Sequence, residues 1–318
     1  MAFVNDVKEE IAAGKREYED RECHLSELAA IVIHCGAYVL SKEQAMLKVA
    51  IDQKVVAERY LRLLKDLYSL SPDDLEIEEP DVGRRRFHIR LKKREDIVIV
   101  LQDLRLEKCE KLSYHIDSVA DESLFDDTCC IKAFIAGTFL SCGTMSSPVK
   151  QYHIELVCDG KAQAEQLCSL LRSFDLEPKI NHRRDYHVVY MKDGGQVSDM
   201  LRIMEAHSSL LSFENVRIER EIRGQINRQV NCEAANISKT IAAAMDQISD
   251  IELIQANMGL DKLSAELYET ARLRLANPDF SLKDLGQLFK PAVGKSGMNH
   301  RFQKLRQTAN EIRAKLEE

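Results

Sequence analysis

The apolar run IKAFIAGTFLSCG, residues 131–143, keeps small residues at its centre, where Ala136 and Gly137 are adjacent. An interior glycine costs a helix about 1 kcal/mol relative to alanine, so something other than helix propensity favours small residues here. The earlier run LAAIVIHCG, residues 28–36, aligns with the later part of this stretch, IAGTFLSCG, and shares its second-position alanine and its final Cys-Gly. The two runs predict a pair of related helices, over about 24–35 and about 128–142.

The same alignment continues beyond these helices without a gap and indicates an internal duplication. Ala29 matches Ala136, Asp52 matches Asp159, and ten positions match in all between residues 28 and 64 and their counterparts. Each copy is predicted to contain a helix, a strand, a helix, an alternating strand and a helix. The predicted strands are 45–51 and 84–93 in the first copy and 151–158 and 183–192 in the second. The predicted second and third helices are about 56–67 and 95–104, then about 164–174 and 195–206.

The alternating strand RRRFHIRLKK indicates how each sheet is covered. Phe87, Ile89 and Leu91 point to one side, and the polar residues between them point to the other. We therefore predict α+β units in which helices cover one sheet face while the other face is polar and partly basic. Such a face suits a DNA or RNA backbone, and an ordinary solvated face has the same pattern, so both interpretations stay open.

The C-terminal third is predicted to be helical. An ambiguous basic segment leads into a helix from about residue 234, which ends at Asn257-Met258-Gly259, and a further helix runs over 262–276. The segment SLKDLGQLFKPAVGKSGMNHRFQKL then has the layout of a helix-turn-helix. Ser281 caps its first helix, residues 290–294 form the turn, and the second helix begins near Lys295. The residues predicted to face inward are Leu282, Leu285 and Leu288 in the first helix and Met298, Phe302, Leu305 and Ala309 in the second.

Length, composition and charge limit the classes of protein to which this chain can belong. The 318 residues suffice for two or three domains, and 45% hydrophobic with 31% charged residues is typical of a soluble globular protein. The chain has no apolar run of membrane-spanning length and no secretory signal, so we expect a cytoplasmic protein with no membrane partner. The net charge of −7 argues against nucleic-acid binding over the whole surface, but six Lys/Arg against one acid between residues 283 and 306 form a local basic patch.

Nine cysteines are scattered along the chain and never occur in C-x-x-C spacing. A disulfide framework or a structural zinc site would show regular pairs. We therefore expect free thiols, no metal site and no cofactor. The adjacent residues Cys129 and Cys130 also fit a redox-sensitive pair.

The duplicated helices carry a specific resemblance. Two α/β units that each begin with a helix like L-A-G-L-x-D-A-D-G are similar to the LAGLIDADG homing-endonuclease family, in which the two motif helices pack together at the centre of a saddle. The resemblance implies that four small residues let the two helix backbones approach closely: Ala29, Ala30, Ala136 and Gly137. In these nucleases the acid next to the last glycine of each motif holds the divalent cations that drive DNA cleavage.

In this chain the two acid positions hold Cys35 and Cys142. A thiol is a poor ligand for Mg²⁺, and the neighbouring His34 and Ser141 supply no carboxylate. The resemblance therefore implies a nuclease-like scaffold without catalytic residues. Three nearby acids are interpreted as helix caps and dipole partners rather than as replacement ligands: Glu27, Asp126 and Asp127.

The degenerate duplication is followed by RQVNCEAANISKT and then by the helix-turn-helix segment, and this combination resembles the WhiA family of transcriptional regulators of Gram-positive bacteria over essentially the whole chain. The resemblance implies an α+β duplicated LAGLIDADG-like saddle followed by an all-α helix-turn-helix domain. The expected boundaries are a saddle at 1–222 with repeats at about 22–106 and 126–222, a helical linker at 223–259, and a helix-turn-helix domain at 260–318.

The resemblance also implies a function: a non-enzymatic, sequence-specific regulator that binds double-stranded promoter DNA on the nucleoid, in sporulation, cell division and chromosome segregation. The polar face of the second helix is expected to read bases through Ser296, Asn299, His300 and Arg301 and to contact phosphates through Lys295, Lys304 and Arg306. Nonspecific attraction of DNA is expected from Arg86, Arg90 and Lys92.

Two alternatives stay open. The N-terminal domain could bind a protein such as a sigma factor or another regulator, or it could keep metal-dependent endonuclease activity. The sequence does not indicate whether the chain binds a small molecule.

Overall fold

The computed structural model describes residues 3–14, 20–40, 42, 45–81, 85–106 and 119–317. The chain divides into two compact units, residues 1–221 and 222–318, each with its own hydrophobic core. We call them the N-terminal unit and the C-terminal unit. Arg84, at the start of the predicted alternating strand, and Cys109 lie outside the described residues.

The N-terminal unit combines helices with eight short strands. Its helices are α1 (Phe3–Ala13), α2 (Arg21–Cys35), α3 (Lys54–Tyr68), α4 (Arg94–Asp103), α5 (Thr128–Cys142), α6 (Lys161–Arg172) and α7 (Gly194–Ile203). Its strands are β1 (Gly36–Leu40), β2 (Ala45–Ile51), β3 (Leu75–Glu78), β4 (Phe87–Leu91), β5 (Gly143–Met145), β6 (Ile154–Cys158), β7 (Lys179–Arg183) and β8 (Tyr186–Met191). Short 3-10 turns at Pro72–Asp74 and Glu122–Phe125 precede β3 and α5.

The strands form two antiparallel sheets with the same topology, ordered β1-β2-β4-β3 and β5-β6-β8-β7. Each sheet comes from one copy of the duplication, which also supplies three helices in the same order along the chain. The predicted α+β duplication is therefore confirmed. The sequence pattern did not predict α1 or the strands β1, β3, β5 and β7.

The motif helices α2 and α5 pack against each other, and Gly137 of α5 faces the backbone of α2. A methyl group on Gly137 would lie 2.6 Å from the carbonyl oxygen of Glu27 and 2.9 Å from the Cβ of Ala30. Both distances are shorter than close-packed atoms tolerate without displacement. Because Ala29 and Ala136 are also buried, the prediction that small residues permit close approach of the two backbones is confirmed.

Gly137→Ala is expected to lower the free energy of unfolding by about 1–3 kcal/mol, because the added methyl group must push two helix backbones apart. Gly224→Ala is the matched control, since Gly224 also lies inside a helix but its added methyl would meet only the end of the Arg228 side chain, at 3.5 Å. The control should keep or raise stability, because alanine is the better helix former. Urea unfolding followed by circular dichroism measures both changes. An unaltered unfolding curve for Gly137→Ala would show that the two helices have room for the methyl group.

A buried ion pair links α2 to α3. Glu27 accepts hydrogen bonds from Arg59 at 2.7 and 3.1 Å, and both side chains are almost completely buried. The interpretation of Glu27 as a helix cap is therefore wrong, because Glu27 lies in the second turn of α2 and its carboxylate faces α3. The cap of α2 is Asp20, whose side chain accepts from the backbone N–H of Cys23. Asp127 is the N-cap residue of α5 but makes no side-chain capping hydrogen bond.

The helix α8 (His207–Asn257) begins in the N-terminal unit and continues into the C-terminal unit. The sequence prediction started this helix only at about residue 234, but the segment before it contains no proline and a single glycine, so nothing interrupts the helix. The remaining helices are α9 (Ala265–Ala276), α10 (Leu282–Gln287) and α11 (Lys295–Glu317), with a 3-10 turn at Leu260–Lys262. Across the described residues, no helix has the length and apolarity that a membrane span requires.

The four helices of the C-terminal unit share one core. Its buried residues are Ile251, Ile254, Ala271, Leu285, Met298, Phe302, Leu305 and Ala309. The inward face predicted for α11 is therefore confirmed, as is Leu285 in α10. Leu288 is 45% exposed instead, because α10 ends one residue earlier. Ile251 and Ile254 come from the last turns of α8, so part of the segment expected to be a linker belongs to this core.

Candidate functional site

One side of α11 gathers most of the residues expected to contact DNA. Six of the seven are exposed on this helix: Lys295, Ser296, Asn299, His300, Lys304 and Arg306. The opposite side is buried in the core of the C-terminal unit. No acidic residue occurs between Asp284 and Glu311, so the first turns of α11 carry three exposed cations and several hydrogen-bonding groups but no acid of their own. Amide, hydroxyl and imidazole groups can pair with base edges, and lysine and arginine with phosphates.

Arg301 has a different environment from the other six residues. Its side chain is only 17% exposed, and its guanidinium lies 4.8 Å from the ring centroid of Phe289. The Nη2 atom of Arg301 also lies 3.7 Å from the carboxylate of Glu266 in α9. These two contacts hold the side chain against the rest of the C-terminal unit, so reading a base would require Arg301 to leave both partners.

A buried arginine fixes the loop between α9 and α10. Arg274 donates from Nη1 to the carbonyl oxygens of Asn277, Pro278 and Phe280 at 3.3, 3.2 and 2.7 Å. Its guanidinium also lies 5.4 Å from the ring centroid of Phe302 in α11. Burial lowers the pKa of Arg274 from its ordinary value. Charge-assisted hydrogen bonds to three carbonyls hold this side chain in place, where it packs against α11 and supports it. This role could not be predicted from the sequence, because a basic residue in the last turn of a helix is usually exposed.

A second candidate site is a cavity of about 420 Å³ at the C-terminal ends of α2 and α5. Cys35 and Cys142 line it at the two motif positions, together with the repeat-related pair Asp52 and Asp159. Burial raises the pKa of Cys35 to about 11 and also raises that of Cys142, so both thiols stay protonated at neutral pH. Asp52 lies 2.6 Å from the guanidinium of Arg86. Among the described residues, no group of three metal-ligating side chains forms at this cavity.

A lysine from outside the duplication reaches the same cavity. Lys8 of α1 is 6% exposed, and its ammonium donates to the carbonyl oxygen of Leu140 at 3.0 Å. Burial lowers the pKa of Lys8, while the proximity of Cys142, Cys35 and Asp52 opposes that shift. A basic side chain therefore lies beside Cys35 and Cys142, the two motif positions. The sequence analysis missed Lys8 because α1 has no counterpart in the second copy.

Lys8→Met is expected to change how stability depends on pH. Because burial lowers the folded-state pKa below the ordinary value of 10.5, the unfolded chain holds more protons between the two pKa values, and stability rises with pH in that window. The stability of the wild type relative to Lys8→Met should therefore increase as pH rises towards 10.5 and level off above it. Urea unfolding at several pH values measures this difference, with Lys65→Met as a control for the loss of one exposed charge. A difference that stays constant with pH would contradict the burial of the ammonium.

We call the polar sides of the two sheets, taken together, the outer sheet face. Its central residues alternate with core residues along the strands and pair across them. In the first sheet they are Lys48, Arg90 and Glu76, and in the second they are Glu155, Tyr190 and Lys179. The first row contains two cations and one acid, and the second contains one of each.

The three basic residues expected to attract DNA to this sheet all have partners inside the unit. Arg86 pairs with Asp52 at 2.6 Å, Arg90 lies 3.4 Å from Glu76, and Lys92 donates to the carbonyl oxygen of Asp73 at 2.8 Å. In the second sheet Arg183 pairs with Glu155 at 2.8 Å in the same way. Acids on neighbouring strands therefore offset much of the positive charge that the single strand RRRFHIRLKK presents in sequence.

The first turns of α2 and α5 bring three cysteines together. Cys23, Cys129 and Cys130 have their sulfur atoms within 4.8 Å of one another. Cys23 and Cys130 occupy equivalent positions in the two copies of the duplication, as Cys35 and Cys142 do. The equivalence of Cys23 and Cys130 is visible in the sequence and could have predicted their proximity, because residues related by the repeat in two packed helices lie close to the symmetry axis.

The fold and these sites define a class of protein: a duplicated LAGLIDADG-like unit with thiols at both motif positions, joined to a helical unit with a polar, acid-free helix face. Models of three protein domains match the chain. They are the WhiA N-terminal LAGLIDADG-like domain over residues 21–106, the WhiA LAGLIDADG-like domain over 131–223 and the WhiA C-terminal HTH domain over 226–309.

Relatives along the whole chain agree with these matches. The chain is 41% identical to the probable cell division protein WhiA of Lachnoclostridium phytofermentans, covering 98% of this chain and 100% of the relative. It is 38% identical to the protein of the same name in Alkaliphilus oremlandii, covering 100% and 98%. The crystal structure of full-length WhiA from Thermotoga maritima matches with a TM-score of 0.58 at 24% identity, over 98% of this chain and 99% of that one. The chain belongs to the WhiA family, which confirms the predicted family and fold class.

Proposed function

We propose that this chain is a sequence-specific, DNA-binding transcription regulator that reads double-stranded promoter DNA through the first turns of α11. The observation that carries the proposal is the exposed face of the first turns of α11, which has cations and hydrogen-bonding side chains, no acid, and a packed core on its buried side. A helix of this kind fits the major groove, where side chains at its N-terminal end reach base edges. Regulation of cell division, sporulation and chromosome segregation, with the chain on the nucleoid, is part of the same proposal.

The exposed residues divide into two roles. Ser296, Asn299 and His300 read bases, because their side chains both donate and accept hydrogen bonds in the first turns of the helix. The three cations Lys295, Lys304 and Arg306 contact phosphates. Arg301 was predicted to read bases as well, but its contacts with Phe289 and Glu266 favour a role in positioning α11.

Asn299→Ala tests the reading of bases. The target sequence is first selected from random duplexes with the wild-type protein, and affinities are then compared for the target and for a scrambled duplex. We expect the variant to lose about 1–3 kcal/mol of binding free energy on the target and almost none on the scrambled duplex, because asparagine contacts carry sequence information and little charge. Asn310→Ala, further along α11, is the matched control. Equal losses on both duplexes would remove Asn299 from the reading role.

We also propose that the chain is not a nuclease. Two-metal hydrolysis needs carboxylates that hold the ions, and the motif positions carry protonated thiols with the Lys8 ammonium beside them. Incubating the selected duplex with the protein and Mg²⁺ or Mn²⁺ should leave the DNA intact. Cleavage that disappears in Asp52→Asn or Asp159→Asn would support the endonuclease alternative.

The pairing of charges on the outer sheet face favours a second role for the N-terminal unit, as an interaction module for a protein such as a sigma factor or another transcription regulator. Paired ions give little net field to attract a phosphate backbone. In the full chain, replacing Arg86, Arg90 and Lys92 with alanine should leave DNA affinity unchanged even at low salt, where phosphate contacts are strongest. A clear loss of affinity would instead assign the outer sheet face to DNA.

A further inference from the structure

Three cysteines in the first turns of α2 and α5 form a cluster outside both sites described above. Cys23 and Cys130 are buried, with their sulfur atoms 3.9 Å apart, and Cys129 is partly buried beside them. All three sulfur atoms lie within 4.8 Å of one another. With metal–sulfur bonds of about 2.3 Å, two thiolates on one tetrahedral ion lie roughly 3.8 Å apart. The spacing of Cys23 and Cys130 therefore already matches that of ligands sharing one ion.

The surroundings of the cluster suit thiolate ligands. All three cysteines lie in the first turn of a helix, where the positive end of the helix dipole stabilises negative charge, and the Asp20 carboxylate caps α2 by accepting from the Cys23 N–H. The two helices meet at this point, so both positive ends act on the same group. Ala133 packs against the three cysteines and makes part of the cluster's wall apolar.

Cys23 and Cys130 do not form a disulfide in this structure. The separation of 3.9 Å between their sulfur atoms is well beyond the roughly 2.05 Å of a disulfide bond. A bound cation would replace the three thiol protons, which leave to solvent.

We propose that Cys23, Cys129 and Cys130 form a three-thiolate site for a thiophilic metal ion, Zn²⁺ or Cu⁺, that joins the two copies of the duplication at the first turns of their motif helices. Soft sulfur ligands select these ions over Mg²⁺ or Ca²⁺. Zn²⁺ would take a fourth ligand from water on the partly exposed side of Cys129, whereas Cu⁺ needs only the three sulfurs. This inference is independent of DNA binding by α11, which lies in the other unit.

The test uses the full chain, fully reduced and handled without oxygen. Zn²⁺ is titrated in competition with a chromophoric zinc chelator, Cu⁺ in competition with a colorimetric Cu⁺ chelator, and Co²⁺ serves as a probe of thiolate ligation by its charge-transfer absorption. We expect one ion per chain, and the ion that competes more strongly with its chelator identifies the metal. Binding should also raise the thermal unfolding midpoint, because the ion binds the folded state.

Cys130→Ala is the main variant, and Cys168→Ala, which removes another buried thiol in α6, is the matched control. Loss of a ligand should weaken binding by more than the roughly 10–100-fold that loss of an outer-shell partner costs, and it should abolish the metal-dependent rise in unfolding midpoint. If Cys130→Ala does not fold, Cys129→Ala gives the same comparison at a partly exposed position. The proposal is overturned if the wild type holds no ion against the chelators, or if the folded cluster variant binds as tightly as Cys168→Ala.

Discussion

Replacing Lys295, Lys304 and Arg306 with alanine together is expected to reduce DNA affinity on every sequence and to weaken its dependence on salt. Each phosphate contact releases condensed counterions and contributes about 0.9 to the slope of log affinity against log salt concentration. The triple variant should therefore have a slope smaller in magnitude by roughly 2.7, and its affinity loss should be largest at low salt. Fluorescence anisotropy of labelled duplexes over a series of salt concentrations measures both quantities.

A variant with the same change in net charge controls for the overall field of the protein. Lys262, Arg272 and Lys315 are exposed cations of the C-terminal unit outside the first turns of α11. Their replacement with alanine should leave most of the slope intact. If both triple variants lose the same slope, the attraction is a property of the whole unit and α11 is not the contact surface.

Arg59→Leu is expected to lower the free energy of unfolding by about 3–5 kcal/mol, because it leaves the carboxylate of Glu27 buried without its cationic partner. Replacing Glu27 and Arg59 together with leucine should recover much of that loss, since apolar residues of similar size often substitute well for a buried ion pair. Urea unfolding of the two variants and the wild type measures the effect.

An exposed ion pair provides the comparison for this experiment. Lys161 and Glu165 of α6 lie 3.3 Å apart with both side chains mostly exposed. Lys161→Ala should change stability by less than about 1 kcal/mol. A similarly small effect of Arg59→Leu would mean that water reaches Glu27 once the guanidinium is removed.

The parts of the fold that could be predicted from sequence are those with a periodic pattern and a second copy. The bounds of α5 and β2 agree with the prediction, whereas their counterparts differ from it at one end, since α2 begins at Arg21 and β6 at Ile154. The five residues of β7 are all exposed and show no alternation, so only pairing with β8 reveals the strand. The sequence has no clear signal for the N-terminus of α8, so the predicted start of this helix lies too far along the chain.

The residues of the candidate sites also differ in whether they could be predicted from the sequence. The exposed residues of α11 follow from helical periodicity, which fixes the buried side and therefore the opposite one. Lys8, Arg59 and Arg274 could not be predicted, because each acquires its role from a partner that only the tertiary fold brings near. The ion pairs of Arg86 and Arg90 could not be predicted for the same reason, since the acids that pair with them lie on other segments.

The polar residues of the outer sheet face make the two copies of the duplication differ in charge. Lys48 and Glu155 occupy equivalent positions in the two copies, yet they carry opposite charges. Their neighbours across the sheets differ as well, since Glu76 and Lys179 end the two rows with opposite charges. The two copies therefore carry opposite charges at these two pairs of equivalent positions although their backbones repeat, so the duplicated unit is not symmetric in charge.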